Sequence, residues 1–160
     1  MTRIVDSILV AAPIEDVYAF VTTPATWPNW HPSSLGVNDA TDHSLEVGER
    51  VTEEFLVAGR RGQVVWTVTA KEATKTWTIS GKVIGGGQGV ITYRCRPEGD
   101  GTIFEREFTY SMSSLKLEIL NVLIFKRRVK RESAQAVHQL KTEIQRAESQ
   151  QPTPEAASVS

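Results

Sequence analysis

The sequence predicts an α+β fold in which a seven-stranded antiparallel sheet wraps around a long C-terminal helix, with two short helices after the first strand. Three observations carry this. Between Leu35 and Met112, apolar and polar residues alternate in runs separated by Gly- and Asp-rich breaks, the pattern of strands with one covered face. Residues 114–148 contain neither Gly nor Pro and place Leu115, Ile119, Val122, Val129, Ala136, Leu140 and Ile144 on one helical stripe. Ahead of both, an Ile/Val/Leu-rich opening gives way to apolar spacing of three and four.

Residues 3–11 are short of helix signals and read as a strand. Pro13 suits a first helical position, Glu15 and Asp16 favour the positive end of the helix dipole, and Ile14, Val17, Tyr18 and Val21 form an apolar stripe. A short helix over 13–22 follows, interrupted by Pro24. Residues 24–31 read as a second short helix or irregular turn closed by Pro32. From Leu35 the period becomes 2. A strand over 35–40 and a polar loop lead to a strand over 50–58, with Val51, Phe55 and Val57 on one face. After a turn at 59–62, the strand over 63–73 sets Trp66, Val68 and Ala70 against Thr67, Thr69 and Lys71. The strand over 75–84 sets Trp77 and Ile79 against Thr76, Thr78 and Ser80, and the Gly-rich run 85–89 is its connector. Ile91, Tyr93 and Cys95 share a face of the strand over 90–96. Asp100-Gly101 is expected to supply positive φ in the hairpin at 98–101. The last strand, 102–112, aligns Phe104, Arg106, Phe108, Tyr110 and Met112. At about 1.5 Å per residue the final helix would reach roughly 50 Å, long enough to cross a curved sheet diagonally. Residues 1–148 are thus expected to form one domain, and 149–160, with Pro152 and Pro154 and no periodicity, a disordered tail.

Composition bounds the function. At 160 residues the chain can bury a core without staples, and 40% hydrophobic with 23% charged residues excludes wholesale disorder, collagen and coiled coil. No apolar run approaches the ~18 residues of a membrane span, and the opening residues make a poor signal peptide. Cys95 is the single cysteine, so no disulfide framework or zinc finger is expected and the cytoplasm is the default compartment. The net charge of −1 is unevenly placed: residues 1–60 hold three Lys/Arg and nine Asp/Glu, whereas residues 115–160 hold eight and five. Five of the latter cations, Lys126, Arg127, Arg128, Lys130 and Arg131, fall together. With a pI near 6.3 and an acidic first third, nucleic acid is not an expected partner.

The opening ILVAAPIEDVYAFVTTPATWPNWHP, the hairpin GDGTIFEREFTY and the helix ending AVHQLKTEI resemble the START/Bet v 1-like (SRPBCC, helix-grip) superfamily, in particular bacterial members of the polyketide cyclase/dehydrase and lipid transport type. The resemblance covers roughly residues 1–147. It implies an apolar cavity between the concave sheet and the long helix, used by family members to carry lipids, sterols or hormones and by a minority to cyclise or dehydrate polyketides. Fold analogy does not select among these.

Strict alternation turns Arg106 inward with Phe104, Phe108 and Tyr110. An inward Arg needs a partner or a ligand, so it is an anchor for a carboxylate, enolate or phosphate, or half of a buried ion pair with Glu53 or Asp6, unless a bulge turns it outward. Trp66, Trp77 and Tyr93 share that face and either fill the core or line a pocket for a flat ring. Trp30 and His31 sit where the short helices meet the sheet, and His31, ordinarily titrating near 6.5, is a candidate acid/base at the pocket mouth or a turn residue. With Phe55 and Val122 these complete the candidate cavity wall. No catalytic residue is assigned; in an enzyme of the aromatase/cyclase type Arg106 would stabilise an enolate while Tyr93, Tyr110 or His31 moved protons. The Gly run matches no phosphate-binding pattern, no Gly-x-Ser-x-Gly elbow exists, and the three His lack metal-ligand spacing, so neither cofactor nor metal is expected. Leu117, Leu120, Leu123 and Ile124 lie off the core stripe beside Lys126, Arg127 and Arg128. This stretch reads as a peripheral membrane contact, a homodimer patch in a chain otherwise monomeric, or a contact with the short helices. The first functional expectation is an intracellular binder or carrier of a hydrophobic small molecule, lipid or polyketide-like. The alternatives are a polyketide cyclase or dehydratase, and a dimerising interaction protein using residues 117–131.

Overall fold

The computed structural model describes residues 1–57, 59–111 and 119–150, with 119–125 described by backbone alone. Seven strands form: β1 (Thr2–Val10), β2 (Ser34–Asn38), β3 (Arg50–Val57), β4 (Arg60–Glu72), β5 (Thr76–Val83), β6 (Gln88–Glu98) and β7 (Gly101–Ser111). They pair antiparallel in the order β1-β7-β6-β5-β4-β3-β2. Chain neighbours β2 to β7 thus form a meander, and β1 closes alongside β7 with Ile4 opposite Phe108 and Ile8 opposite Phe104. Two short helices, α1 (Ile14–Thr22) and α2 (Trp27–Trp30), are joined through a 3-10 turn at Pro24–Thr26. The long helix α3 spans Ile119–Gln150. Pro13 caps α1 from just outside it, and Thr23 is extended, the conformation imposed on a residue preceding proline.

The period-2 pattern does what alternation predicts. Along β6, Ile91, Tyr93 and Cys95 are buried, while Arg94 and Arg96 are exposed. Above this face α3 buries Val129, Ser133, Ala136, Val137, Leu140 and Ile144, one stripe of a 3.6-residue helix. The Cys95 thiol is a core group, its pKa pushed up to about 12 by burial. The helix continues two residues beyond the expected domain end; residues 151–160, expected as a tail, lie outside the described residues, as do Met112, Leu115 and Leu117.

Two expectations are corrected. The β4–β5 register shifts between Val68 and Ala70, a bulge that inverts the alternation beyond it. Ala70 is exposed, while Lys71 turns toward the loop ahead of β3, where its Nζ lies 2.6 Å from Glu46 Oε1 and 3.2 Å from Ser44 Oγ. In the β6–β7 hairpin Glu98 pairs with Gly101, so the loop is Gly99-Asp100. The positive φ falls on Gly99, at 56°, because a two-residue hairpin loop needs its left-handed residue first.

Candidate functional site

The strand register assembles the site as a row. Asp6 on β1 lies opposite Arg106 on β7, and Arg106 lies opposite Tyr93 on β6. Tyr93 lies opposite Trp77 on β5. All four residues belong to the concave face, so the only formal cation of the row is held against the underside of α3. Arg106 is 3% exposed. Its Nη1 donates to Ser133 Oγ of α3 at 2.9 Å, and Ser133 donates onward to Asp6 Oδ2 at 2.5 Å. The guanidinium also stands 5.2 Å from the centroid of the Phe108 ring, a cation–π distance.

Among the described residues no carboxylate lies within ion-pair distance of Arg106. Asp6 reaches it only through Ser133. Glu53 on β3 senses its charge from across the cavity but is held by Trp66, whose indole Nε1 donates to Glu53 Oε2 at 2.7 Å. Desolvation raises the Glu53 carboxyl above its ordinary value, outweighing the opposing pull of its hydrogen bonds and of Arg106. Burial pushes the Tyr93 hydroxyl up to about 12 despite the opposing pull of the nearby Arg106 charge. His31 is held well below its ordinary 6.5, first by burial and then by the nearby Arg106 charge. Burial and that charge both favour the neutral imidazole, and the ring lines the cavity.

These groups border a cavity of about 330 Å³ between the sheet, the α2 region and α3. Its volume falls at the small end of the ~300–1,000 Å³ range of ligand pockets. The wall is mainly apolar, with Phe55, Val64, Ile91 and Phe108 from the sheet, Trp30 from α2 and Val129 from α3. Phe108 and Tyr110 stack at 5.2 Å between centroids. Buried polar atoms without a hydrogen-bond partner among the described residues include Trp30 Nε1, both ring nitrogens of His31 and Arg106 Nε. These three residues all line the cavity. Native interiors leave few such groups, and here most of them belong to residues that line one cavity.

The profile of the family described as polyketide cyclase / dehydrase and lipid transport matches residues 1–145. The chain belongs to that family. Among solved structures, one from Thermus thermophilus is similar with a TM-score of 0.74 at 13% identity, covering 91% of this chain and 99% of that one. A START superfamily protein from Mycobacterium smegmatis gives 0.67 at 15% identity, with 91% and 98% covered. The protein crystallised as Ara h 8.0201 gives 0.64 at 9% identity, with 91% and 98% covered. At these identities the likeness is one of fold. No curated protein matches.

In this family member the structure gathers Trp30, His31, Phe55, Trp66, Tyr93, Arg106, Phe108 and Tyr110 around the cavity. Trp77, sharing their parity, lies outside the lining: it is fully buried, stacked on Tyr93 at 5.4 Å, with its Nε1 bonded to Leu45 O. The side chains of Val122, Leu120, Leu123 and Ile124 lie outside the described residues. Lys126, Arg127 and Arg128 are exposed. Sequence reasoning missed Ser133, which ties Arg106 to Asp6, and Glu132, whose Oε2 accepts from Ser33 Oγ at 2.9 Å and joins α3 to the chain after α2. A serine on an otherwise apolar stripe was the signal for the first. Among the described residues no three His, Cys, Asp or Glu are grouped to hold a metal ion, and no helix is long and apolar enough to cross a membrane.

Proposed function

We propose that the protein binds a hydrophobic small molecule, lipid or polyketide-like, with an oxygen-bearing anionic or enolisable head directed at Arg106. The observation that carries this is an apolar cavity in which a buried guanidinium has no carboxylate within ion-pair distance among the described residues. A buried charge without a counter-ion is strongly unfavourable unless something supplies one. The raised Glu53 carboxyl compensates it less than an ordinary carboxylate would, so the cavity favours an anionic guest. The unpartnered donors nearby support a head group rich in acceptors.

The test compares two probes with one skeleton: 8-anilinonaphthalene-1-sulfonate, an anion, and the neutral N-phenyl-1-naphthylamine. Both should enter the cavity and fluoresce. Arg106→Met, which keeps an apolar side chain of similar length, should weaken the sulfonate by about tenfold or more, the value of one charge-assisted contact. It should leave the neutral probe unchanged. Equal weakening of both probes, or of neither, would remove Arg106 as the anchor. Native mass spectrometry of protein purified from its own host would identify the natural passenger.

A second reading, cyclisation or dehydration of a poly-β-ketone chain, is favoured by the convergence of Tyr93, His31 and Glu53 on Arg106. There the guanidinium would stabilise an enolate and Tyr93, held protonated, would donate to it. Turnover of a diketide or triketide thioester that is abolished by Tyr93→Phe, with probe binding intact, would establish it.

A further inference from the structure

The outward face of α3 carries a dense cluster of cations. Lys126, Arg127, Arg128, Lys130 and Arg131 are all exposed, while Val129 and Ser133 of the same turns are buried against the sheet. Six residues of helix span only about 8 Å, so the five cations crowd the whole solvent arc of little more than one turn. Between Glu118 and Glu143 the sequence supplies a single acid, Glu132, which binds Ser33 toward the cavity. Several cations elsewhere are paired with acids, while Arg50 and Lys82, unpaired among the described residues, stand singly on their strands. On the outer face of the sheet Arg3 pairs with Glu107 at 2.7 Å, and Arg94 with both Glu105 and Glu107. Arg61 pairs with Glu54 and Lys75 with Glu72. Among the described residues no ion pair reaches any of the five helix cations.

We propose that this face of α3 is a docking surface for an anionic lipid bilayer. Charge complementarity is the first argument, since each Lys or Arg held near such a surface adds attraction that decays within a Debye length, ~8 Å at physiological salt. The second argument separates a bilayer from nucleic acid. The sequence running into the cluster, ILNVLIF at 119–125, is uninterrupted by charge, and an apolar segment beside cations suits an interface with acyl chains beneath phosphates. A duplex offers no such layer. The arrangement also has a consequence for the cavity, because Val129, Glu132 and Ser133 line it from the inner side of these turns. Docking brings the cavity wall to the membrane.

The test is co-sedimentation of the full chain with mixed phosphatidylglycerol–phosphatidylcholine vesicles and with pure phosphatidylcholine vesicles, at low and high salt. The protein should pellet with the anionic vesicles only and dissociate as salt rises. The triple variant Arg127→Glu, Lys130→Glu, Arg131→Glu should lower the partition coefficient at least about a hundredfold. The charge-matched triple Lys75→Glu, Lys82→Glu, Arg96→Glu on the sheet should change it far less. Unchanged circular dichroism and binding of the neutral fluorescent probe certify both folds, and these readouts do not depend on bilayer docking. Failure to pellet with anionic vesicles, equal losses in the two triples, or tighter retention of a DNA duplex than of vesicles would each overturn the proposal.

Discussion

Arg106 shows how far parity alone can carry an argument at the scale of one residue. Alternation along β7 places it inward, and it is 3% exposed. Alternation does not say what meets it. Of the two acids with inward parity, Asp6 lies beside it in register yet is bridged through Ser133, while Glu53 is engaged by Trp66. Whether Arg106 and Asp6 form a direct salt bridge turns on a serine from a helix 27 positions away in the chain. Glu53 carries a testable consequence. Burial raises its carboxyl above 4.5 in the folded protein, so the native state holds this proton more tightly than the unfolded chain. Its contribution is then fully present below about 4.5, the unfolded value, and is lost as pH rises through the folded value. Glu53→Gln retains an acceptor for the Trp66 indole and removes the titration. In urea denaturation the variant should match wild type near pH 4 and become progressively more stable than wild type as pH rises. A constant difference across that window would show that the Glu53 carboxyl does not bear this linkage.

At the scale of elements, short-range chemistry makes most strands legible and leaves their irregularities hidden. The run of Trp, Val and Thr in β4 announces a half-buried strand, but Val68-Thr69-Ala70 contains no Gly or Pro to mark the bulge that exposes Ala70 and turns Lys71 inward. Trp66 and Trp77 have the same parity; what separates them is their neighbours, since Trp66 lies over Gly81 on the cavity while Trp77 is enclosed by Trp27, Tyr93 and the Leu45 carbonyl. The turn glycines announce connectors, while Gly81, inside β5, carries no signal in the alternation. Its role is space. A Cβ there would overlap the six-membered ring of Trp66 and stand 2.7 Å from Val64 Cγ2. The missing side chain is what lets the Trp66 indole lie across β5 and reach Glu53. Gly81→Ala should therefore cost about 1–3 kcal/mol, the range for overpacking a close-packed site. It should also weaken binding of the neutral naphthylamine probe, because Trp66 lines the cavity. A variant with wild-type urea midpoint and wild-type probe affinity would show that the indole has room to move.

At the scale of the whole molecule, the described residues of the sheet and α3 border a cavity, and the proposed binding there would link stability to occupancy. Filling the space between Phe55, Phe108 and Val129 with side chains would gain dispersion contacts that an empty cavity forgoes. If the proposed guest binds there, its own contacts would replace the packing that the open volume forgoes. Anything bound to the native state alone returns stability as RT ln(1 + [L]/Kd), about 2.7 kcal/mol at a hundredfold excess over Kd. In a domain of this length 1 kcal/mol moves the melting temperature by roughly 2–4 °C, so saturation with the anilinonaphthalene sulfonate should raise Tm by about 5–10 °C. Arg106→Met should melt close to or above wild type without the probe, since replacing a buried charge by an apolar side chain is often neutral or stabilising. Adding the sulfonate at the concentration that saturates wild type should then move it far less. Calorimetry of the two proteins with and without the probe distinguishes the roles. If Arg106→Met melts several degrees lower when empty, the guanidinium is chiefly a structural tie between β7 and α3; if it melts unchanged and ignores the sulfonate, its charge is held for the guest.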